Sequence, residues 1–388
     1  MYAVYLKKGE EQRILEGHPW VYANEAAKIE GKDVQGGVAR VFGADGRFIG
    51  QGFINHHSKI LVRILSRDET PVDRDFFYRR IRAADEYRRA LGYADNYRAV
   101  FGESDRLPGL IVDKYGDVLS VQFLSLGMEI RKDMIAEILV EIYRPVCIYE
   151  RSDVAVRAKE GLPEKKGALY GELPAEVLIS ENGLRLKIDV ENGQKTGYFL
   201  DQKHNRDNLK HYAAGRKVLD LFCNQGGFSL CAAKYGAQAV TAVDISETAL
   251  AAVRGNAARN GFQDRIHTVR ADVFELLREC KKAGEKYDLI VLDPPAFTKS
   301  KDTVKEGCNG YRDVNILAFK LLNPRGILVT CSCSQHLPVH MFLDMLRESA
   351  ARAGVSARLI EFRTQSRDHA PLLNADEALY LKVAVLSV

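Results

Sequence analysis

The chain has 388 residues, of which 46% are hydrophobic, 28% charged and 9% aromatic, with 31 Gly and 11 Pro spread without a repeat. This is a globular composition that excludes disorder, collagen and coiled coil, and no apolar run approaches the roughly 18 residues of a membrane-spanning helix. The length predicts two or three domains, each able to bury a core without disulfides or structural metal.

The formal net charge of +4 is unevenly divided. Residues 1–192 carry 29 basic and 31 acidic side chains, whereas 193–388 carry 27 and 21. A basic second half is a weak pointer to an anionic partner. The seven cysteines are odd in number, and the start, MYAVYLKKGEEQR, has no apolar signal-peptide core, so reduced thiols in the cytoplasm are expected. No C-x-x-C pair or Cys/His spacing reads as a metal site.

Residues 1–70 are strand-like: YAVYL, then GGVARVFGADGRFIGQGFI with an Asp45-Gly46 turn, then KILVRIL. Alternation around such a turn predicts a hairpin in a small β-rich domain. Over 73–98 the period becomes helical, and the seven arginines there outnumber the acids, most simply as a solvated face with ion pairs. A second hairpin turns at Tyr115-Gly116-Asp117, a helix follows near 128–143, and CIYER at 147–151 and a hairpin turning at Asn182-Gly183 complete a compact α+β unit. Beyond 210, KVLDLFC, AVTAVDIS, IHTVRADV, YDLIVLDPP and GILVTCSCS alternate with helical stretches such as 246–260 and 310–323. Such runs predict a doubly wound parallel sheet whose ligands sit at its carboxyl edge, and 358–386 supplies two more strands as an antiparallel edge. The expected domains are 1–70, 71–190 and 191–388.

The chemistry-bearing residues fall at the strand ends. In VLDLFCNQGGFSLCAA, Gly226 and Gly227 clear the way for a ligand near a helix start. The segment is not a dinucleotide fingerprint, because Asp220 and Cys223 stand where glycines are wanted, and a nicotinamide dehydrogenase is disfavoured. Phe222 and Phe228 read as core. Asp244 ends the next strand and can hold a ribose diol, or merely cap the following helix. Asp272 ends the third and can accept an adenine amine, though a lone Asp is more often a cap. Together the three strand ends argue for bound adenosine.

The fourth strand ends in DPPAF. Two prolines make a rigid turn without N–H donors, where Asp293 can meet the edge of a planar base and Phe297 can stack on it. The fifth ends in TCSCS, which puts Cys331 and Cys333 on one face near Asp293; a nucleophilic thiolate and an inert buried cysteine stand as equal readings. In the segment after the loop, Lys299, Lys301, Lys305 and Arg312 form a solvated run or contact phosphate.

In these motifs the chain resembles the class I S-adenosylmethionine-dependent methyltransferases, and specifically the large-subunit (23S) ribosomal RNA cytosine-C5 methyltransferase family. LKKGEEQRILEGHPWVYANE resembles that family's RNA-binding PUA domain, VCIYERSDVAVRAKEGL its central domain, and GQKTGYFLDQKHNR the hairpin before its catalytic sheet. The resemblance implies a Rossmann-like α/β methyltransferase sheet preceded by a PUA-like β-barrel and a central α+β domain. It also implies S-adenosylmethionine as cofactor and ribosomal RNA as partner, with no membrane and with a homodimer left open. Asn224, Gly226 and Gly227 would shape the methionine end of the site, Asp244 would hold the ribose, and Asp272 with Val273 would face the adenine; Asp220 and Ile245 join this cofactor-binding set. Asp293 would lie between cofactor and base, and Cys333 would be the nucleophile, with Cys331 second.

One departure from the family pattern stands out. The fourth-strand loop has no second cysteine, so the base for product release is unassigned, and methylation of a base nitrogen stays open. A non-catalytic RNA-binding or assembly factor is the remaining alternative.

Overall fold

The computed structural model describes residues 1–298 and 303–388. By its contacts the chain divides into two compact units. The first comprises Met1–Ile179, Ile188–Leu200 and Arg367–Asp376, and the second Ser180–Lys187, Asp201–Ser366 and Glu377–Val388.

The first unit contains a six-stranded sheet in the order Trp20–Tyr22, Ile60–Ser66, Phe48–Ile54, Val38–Phe42, Tyr2–Leu6 and Ala26–Glu30. Its alternating apolar residues, among them Val4, Val41, Ile54 and Val62, close on a small core. The expected Asp45-Gly46 turn is present: Gly46 has φ +79° and the Asp45 carboxylate accepts the Arg47 N–H at 2.9 Å. Gly52 is required where the strands cross closely, since a Cβ there would lie 2.0 Å from the Arg63 carbonyl oxygen.

A five-stranded sheet follows, in the order Lys165–Gly171, Cys147–Ser152, Val118–Phe123, Leu110–Tyr115 and Asn96–Phe101. Helices Arg74–Ala90 and Lys132–Tyr143 supply Phe76, Phe77, Ile81, Ile135, Ile138 and Leu139 to its core. The first helix is shorter than its periodicity predicts. Asp73 caps it by accepting the Phe76 N–H at 2.9 Å, but the chain leaves the helix at Leu91, Gly92 takes φ +87°, and Asn96–Phe101 joins the sheet. Lys165–Gly171 was not anticipated as a strand, because its mostly exposed residues show no buried alternation.

The second unit is built on seven strands: β1 (Lys217–Leu221), β2 (Ala239–Asp244), β3 (Ile266–Arg270), β4 (Tyr287–Leu292), β5 (Leu322–Ser332), β6 (Arg358–Arg363) and β7 (Lys382–Ser387). Their order is β3-β2-β1-β4-β5-β7-β6. The first five are parallel and the last two join antiparallel, the mixed edge expected from the sequence. Helices α1 (Gly227–Lys234), α2 (Glu247–Arg259), α3 (Val273–Ala283), α4 (Val304–Leu321) and α5 (Val339–Ala353) flank the sheet. Leu219, Ile290, Leu328, Tyr311, Phe319 and Phe342 belong to one core cluster of this unit. The strand order reverses between β1 and β4, which opens a crevice beyond their carboxyl ends.

Two asparagines of the second unit act as a substitute strand. On α2, Asn256 accepts the Lys187 N–H at 2.8 Å and Asn260 accepts the Arg185 N–H at 2.9 Å, while the Asn260 amide also donates to the Arg185 carbonyl at 2.7 Å. These bonds satisfy the exposed edge of the hairpin that turns at Asn182 (φ +51°) and Gly183 (φ +71°), a conformation in which Asn-Gly is the favoured pair.

Candidate active site

At the end of β1, Asp220 is 1% exposed and receives both the N–H and the hydroxyl of Ser229 on one oxygen, at 2.9 and 2.6 Å. Its Oδ1 is buried with no hydrogen-bond partner among the described residues. Burial pushes the Asp220 carboxyl up to about 7, against the Ser229 bonds and with help from the neighbouring charges of Asp293 and Asp244. The chain then turns sharply through three left-handed residues, Phe222 (φ +60°), Asn224 (φ +49°) and Gly226 (φ +77°). A Cβ on Gly226 would press on both Val253 methyls at 3.0 Å, so the cradle needs glycine. Gly227 begins α1, and Phe228 is buried as expected.

At the end of β2, the Asp244 carboxylate accepts the Asn224 N–H at 3.0 Å with one oxygen and the Ser246 N–H at 2.9 Å with the other. The cap of α2 is Ser246 rather than Asp244. Ile245 beside it is 66% exposed, an unusual position for an isoleucine and a surface on which a planar ring could lie. Asp272 is exposed and caps α3 by accepting the Glu275 N–H at 3.1 Å. Val273 turns its side chain into the core, so only its backbone can face a ligand.

At the end of β4, Asp293 is half-buried and its Oδ2 accepts from Gln202 Nε2 at 3.1 Å. Behind Gln202 lies a chain of donors: Arg363 Nε to Asn205 Oδ1 at 3.0 Å, and Asn205 Nδ2 to Gln202 Oε1 at 2.7 Å. Cys331, at the end of β5, is fully buried, and burial drives its thiol well up, with Asp293 adding to the rise. Cys333, just past the strand, is the only one of the seven cysteines that is not buried, with its Sγ 3.9 Å from the Pro294 carbonyl oxygen. The structure therefore separates two thiols that strand alternation left equivalent. Lys382 of β7 reaches the same turn, donating to the Ser334 carbonyl at 2.7 Å.

Phe297 is half-buried and tilted against Tyr311, with ring centroids 4.7 Å apart. Arg312 lies in α4, where it donates to Glu348 at 2.8 Å and Asn309 at 2.6 Å. Lys299 and Lys301 lie outside the described residues. Gln202 and Lys382 were missed in the sequence. The first sat in a segment valued only for its likeness, and the second could have been flagged as the one charge in the apolar run LYLKVAVL.

The donor set fits S-adenosylmethionine. An unpartnered buried carboxylate oxygen of Asp220, a Cβ-free cradle at Gly226, the Asp244 carboxylate and the bare Ile245 side chain follow one another along the sheet edge, and the charges acting on Asp220 are those of Asp293 and Asp244, a setting that a cationic ligand would suit. Fold and site thus define a class I S-adenosylmethionine-dependent methyltransferase.

Comparison with known proteins agrees. Residues 163–386 match the family model described as S-adenosylmethionine-dependent methyltransferase, and 4–67 match a PUA-like domain. The ribosomal RNA large subunit methyltransferase I of Aeromonas salmonicida is 42% identical over 393 residues, covering 99% of this chain and 98% of that one. The Vibrio cholerae protein of the same name is 40% identical, covering 98% of each chain. A putative SAM-dependent methyltransferase from Streptococcus mutans superposes with a TM-score of 0.86 at 22% identity over 100% of both chains, which shows the common fold, and a putative methyltransferase solved in complex with SAH does so with the same TM-score at 21%. The chain belongs to the ribosomal RNA large subunit methyltransferase I family, with S-adenosylmethionine as its cofactor. Among the described residues no helix is long and apolar enough to cross a membrane, and no group of His, Cys, Asp or Glu could hold a metal ion.

Proposed function

We propose that the protein methylates large-subunit ribosomal RNA at C5 of a cytosine, with Cys333 as nucleophile and Asp293 at the base edge. Residues 1–70 would bind RNA, 71–190 would link, and 191–388 would carry the chemistry. The observation that carries this reading is the position of Cys333, the one accessible thiol, beside the Pro294 carbonyl of the loop that bears Asp293.

C5 of cytosine is a poor nucleophile, and addition of a thiolate to C6 makes it reactive. The Sγ–C6 bond forms, a proton near N3 held by Asp293 offsets the charge passed into the ring, and C5 takes the methyl group that S-adenosylmethionine supplies. Loss of the C5 proton to a base and breaking of the Sγ–C6 bond then return the cysteine and release 5-methylcytidine. Cys331, wholly buried and with its thiol held protonated, suits the core better than this role.

Cys333→Ala should abolish methylation of large-subunit RNA while S-adenosylmethionine still binds, read by nucleoside mass analysis and calorimetry. A fully active variant would sink the mechanism, and loss of activity in Cys331→Ala alone would move the role there. The Asp293-Pro294-Pro295 turn favours one other reading, methylation of a base nitrogen. N-methylated nucleosides in place of 5-methylcytidine would establish it.

A further inference from the structure

Lys382 lies opposite Ser332 in the ladder between β7 and β5 and is 1% exposed. An ammonium this deep is costly unless its donors are met or a counter-charge stands near. One donor is met by the Ser334 carbonyl at 2.7 Å. Burial lowers Lys382 to about 8, and the single charge that pushes it back up is that of Cys333. Among the described residues, groups facing the pair come from three directions. Tyr311 of α4 shares a hydrogen with Ser334 Oγ at 2.8 Å and senses Cys333; Cys331 lies on the same strand end; and Asp293, from the β4 loop, acts on Cys331.

We propose that Lys382 is a positioning residue for Cys333, its buried ammonium serving as the counter-ion that keeps the sulfur a thiolate and favours that thiolate as the leaving group. The inference rests on the cysteine reading above and deepens it. In the resting enzyme the Sγ proton passes to solvent and Lys382 keeps its three hydrogens. When Sγ adds to C6 the sulfur's electron pair enters the new bond and the negative charge moves to the ring. When that bond breaks the pair returns to sulfur, whose charge again draws the proton onto Lys382, and a thiol of lower pKa leaves faster. Lys382 supplies no atom to the product.

The test uses the full-length enzyme without RNA, so that it does not depend on methylation. Alkylation of Cys333 by iodoacetamide, followed by peptide mass analysis, reads the thiolate directly, since the other six thiols are buried. In the unsubstituted protein the rate should be nearly flat from about pH 7 to 8, whereas an unassisted thiol climbs roughly tenfold per unit there. Lys382→Met should restore the climb and slow labelling at neutral pH by about tenfold, and Lys382→Arg should keep the plateau. Should Lys382→Met fail to fold, the profile of the unsubstituted protein decides alone. A tenfold climb in that profile, or superposable profiles for it and Lys382→Met, overturns the pair. Full methylation by Cys333→Ala alongside a flat profile would instead overturn the nucleophile and leave the ion pair standing.

Discussion

One buried carboxylate in each unit shows two opposite ways of holding charge. In the first, Asp113 is fully buried and receives Arg98 Nε and Nη2 at 2.8 and 2.7 Å and the Thr196 hydroxyl at 2.5 Å. Burial alone would raise Glu129, but Lys165, Arg157 and Lys132, at 2.7–3.0 Å, outweigh it and hold the carboxyl down at about 2. In the second unit Asp220 has Asp293 and Asp244 as its charged neighbours and rises to about 7. A carboxylate whose cations come from its own chain is part of the scaffold. One surrounded by like charge suits a positive ligand rather than the scaffold.

Breaking the scaffold should cost most. Asp113→Ala leaves Arg98 buried without its carboxylate and should lower unfolding stability by about 3–5 kcal/mol in urea, with S-adenosylmethionine affinity of the folded fraction unchanged. A shared loss of affinity would show that the two roles are not separable. Next in size, Asp220→Asn should weaken S-adenosylmethionine binding by about 1.5–3 kcal/mol in calorimetry while the fold survives.

The pH dependence of stability should carry opposite signs. Asp220 is raised, so between about 4 and 7 the folded form holds a proton the unfolded form has lost, and its contribution to stability falls as pH climbs through that window. Glu129 is lowered, so its contribution is present above about 4.5 and fades as pH drops towards about 2. Thermal melts across pH should show Asp220→Asn flattening the first slope and Glu129→Gln the second. Smallest of all, Arg82→Ala removes the exposed pair with Glu86 and a long 3.3 Å bond to the Tyr78 hydroxyl, and should leave the melting temperature unchanged within error.

The catalytic sheet was legible because apolar runs buried on both faces cannot be much else, and each acid stands where such a run stops. Less legible was anything fixed by partners far away in sequence. Arg312 reads as a phosphate contact until Glu348, 36 residues on, takes its guanidinium. Arg363 and Asn205 are 158 positions apart, so no spacing could announce that one orders the other. The helix from Arg74 outran its true end on paper because the arginines and aromatics through Arg98 keep a helical rhythm, and Leu91-Gly92 overrode it. Alternation paired Cys331 with Cys333, whereas the strand ends at Ser332 and only one of the two emerges.

The donor chain behind Asp293 has a direction. A guanidinium can only give hydrogens, so Arg363 compels Asn205 to offer its oxygen backwards and its nitrogen forwards, and Gln202 must do the same. Neither amide can flip without setting two donors or two acceptors face to face. Asp293 Oδ2 is thereby committed to accepting from Gln202. An arginine on the next-to-last strand of the chain thus fixes, through two amides, which way the hydrogens point at Asp293.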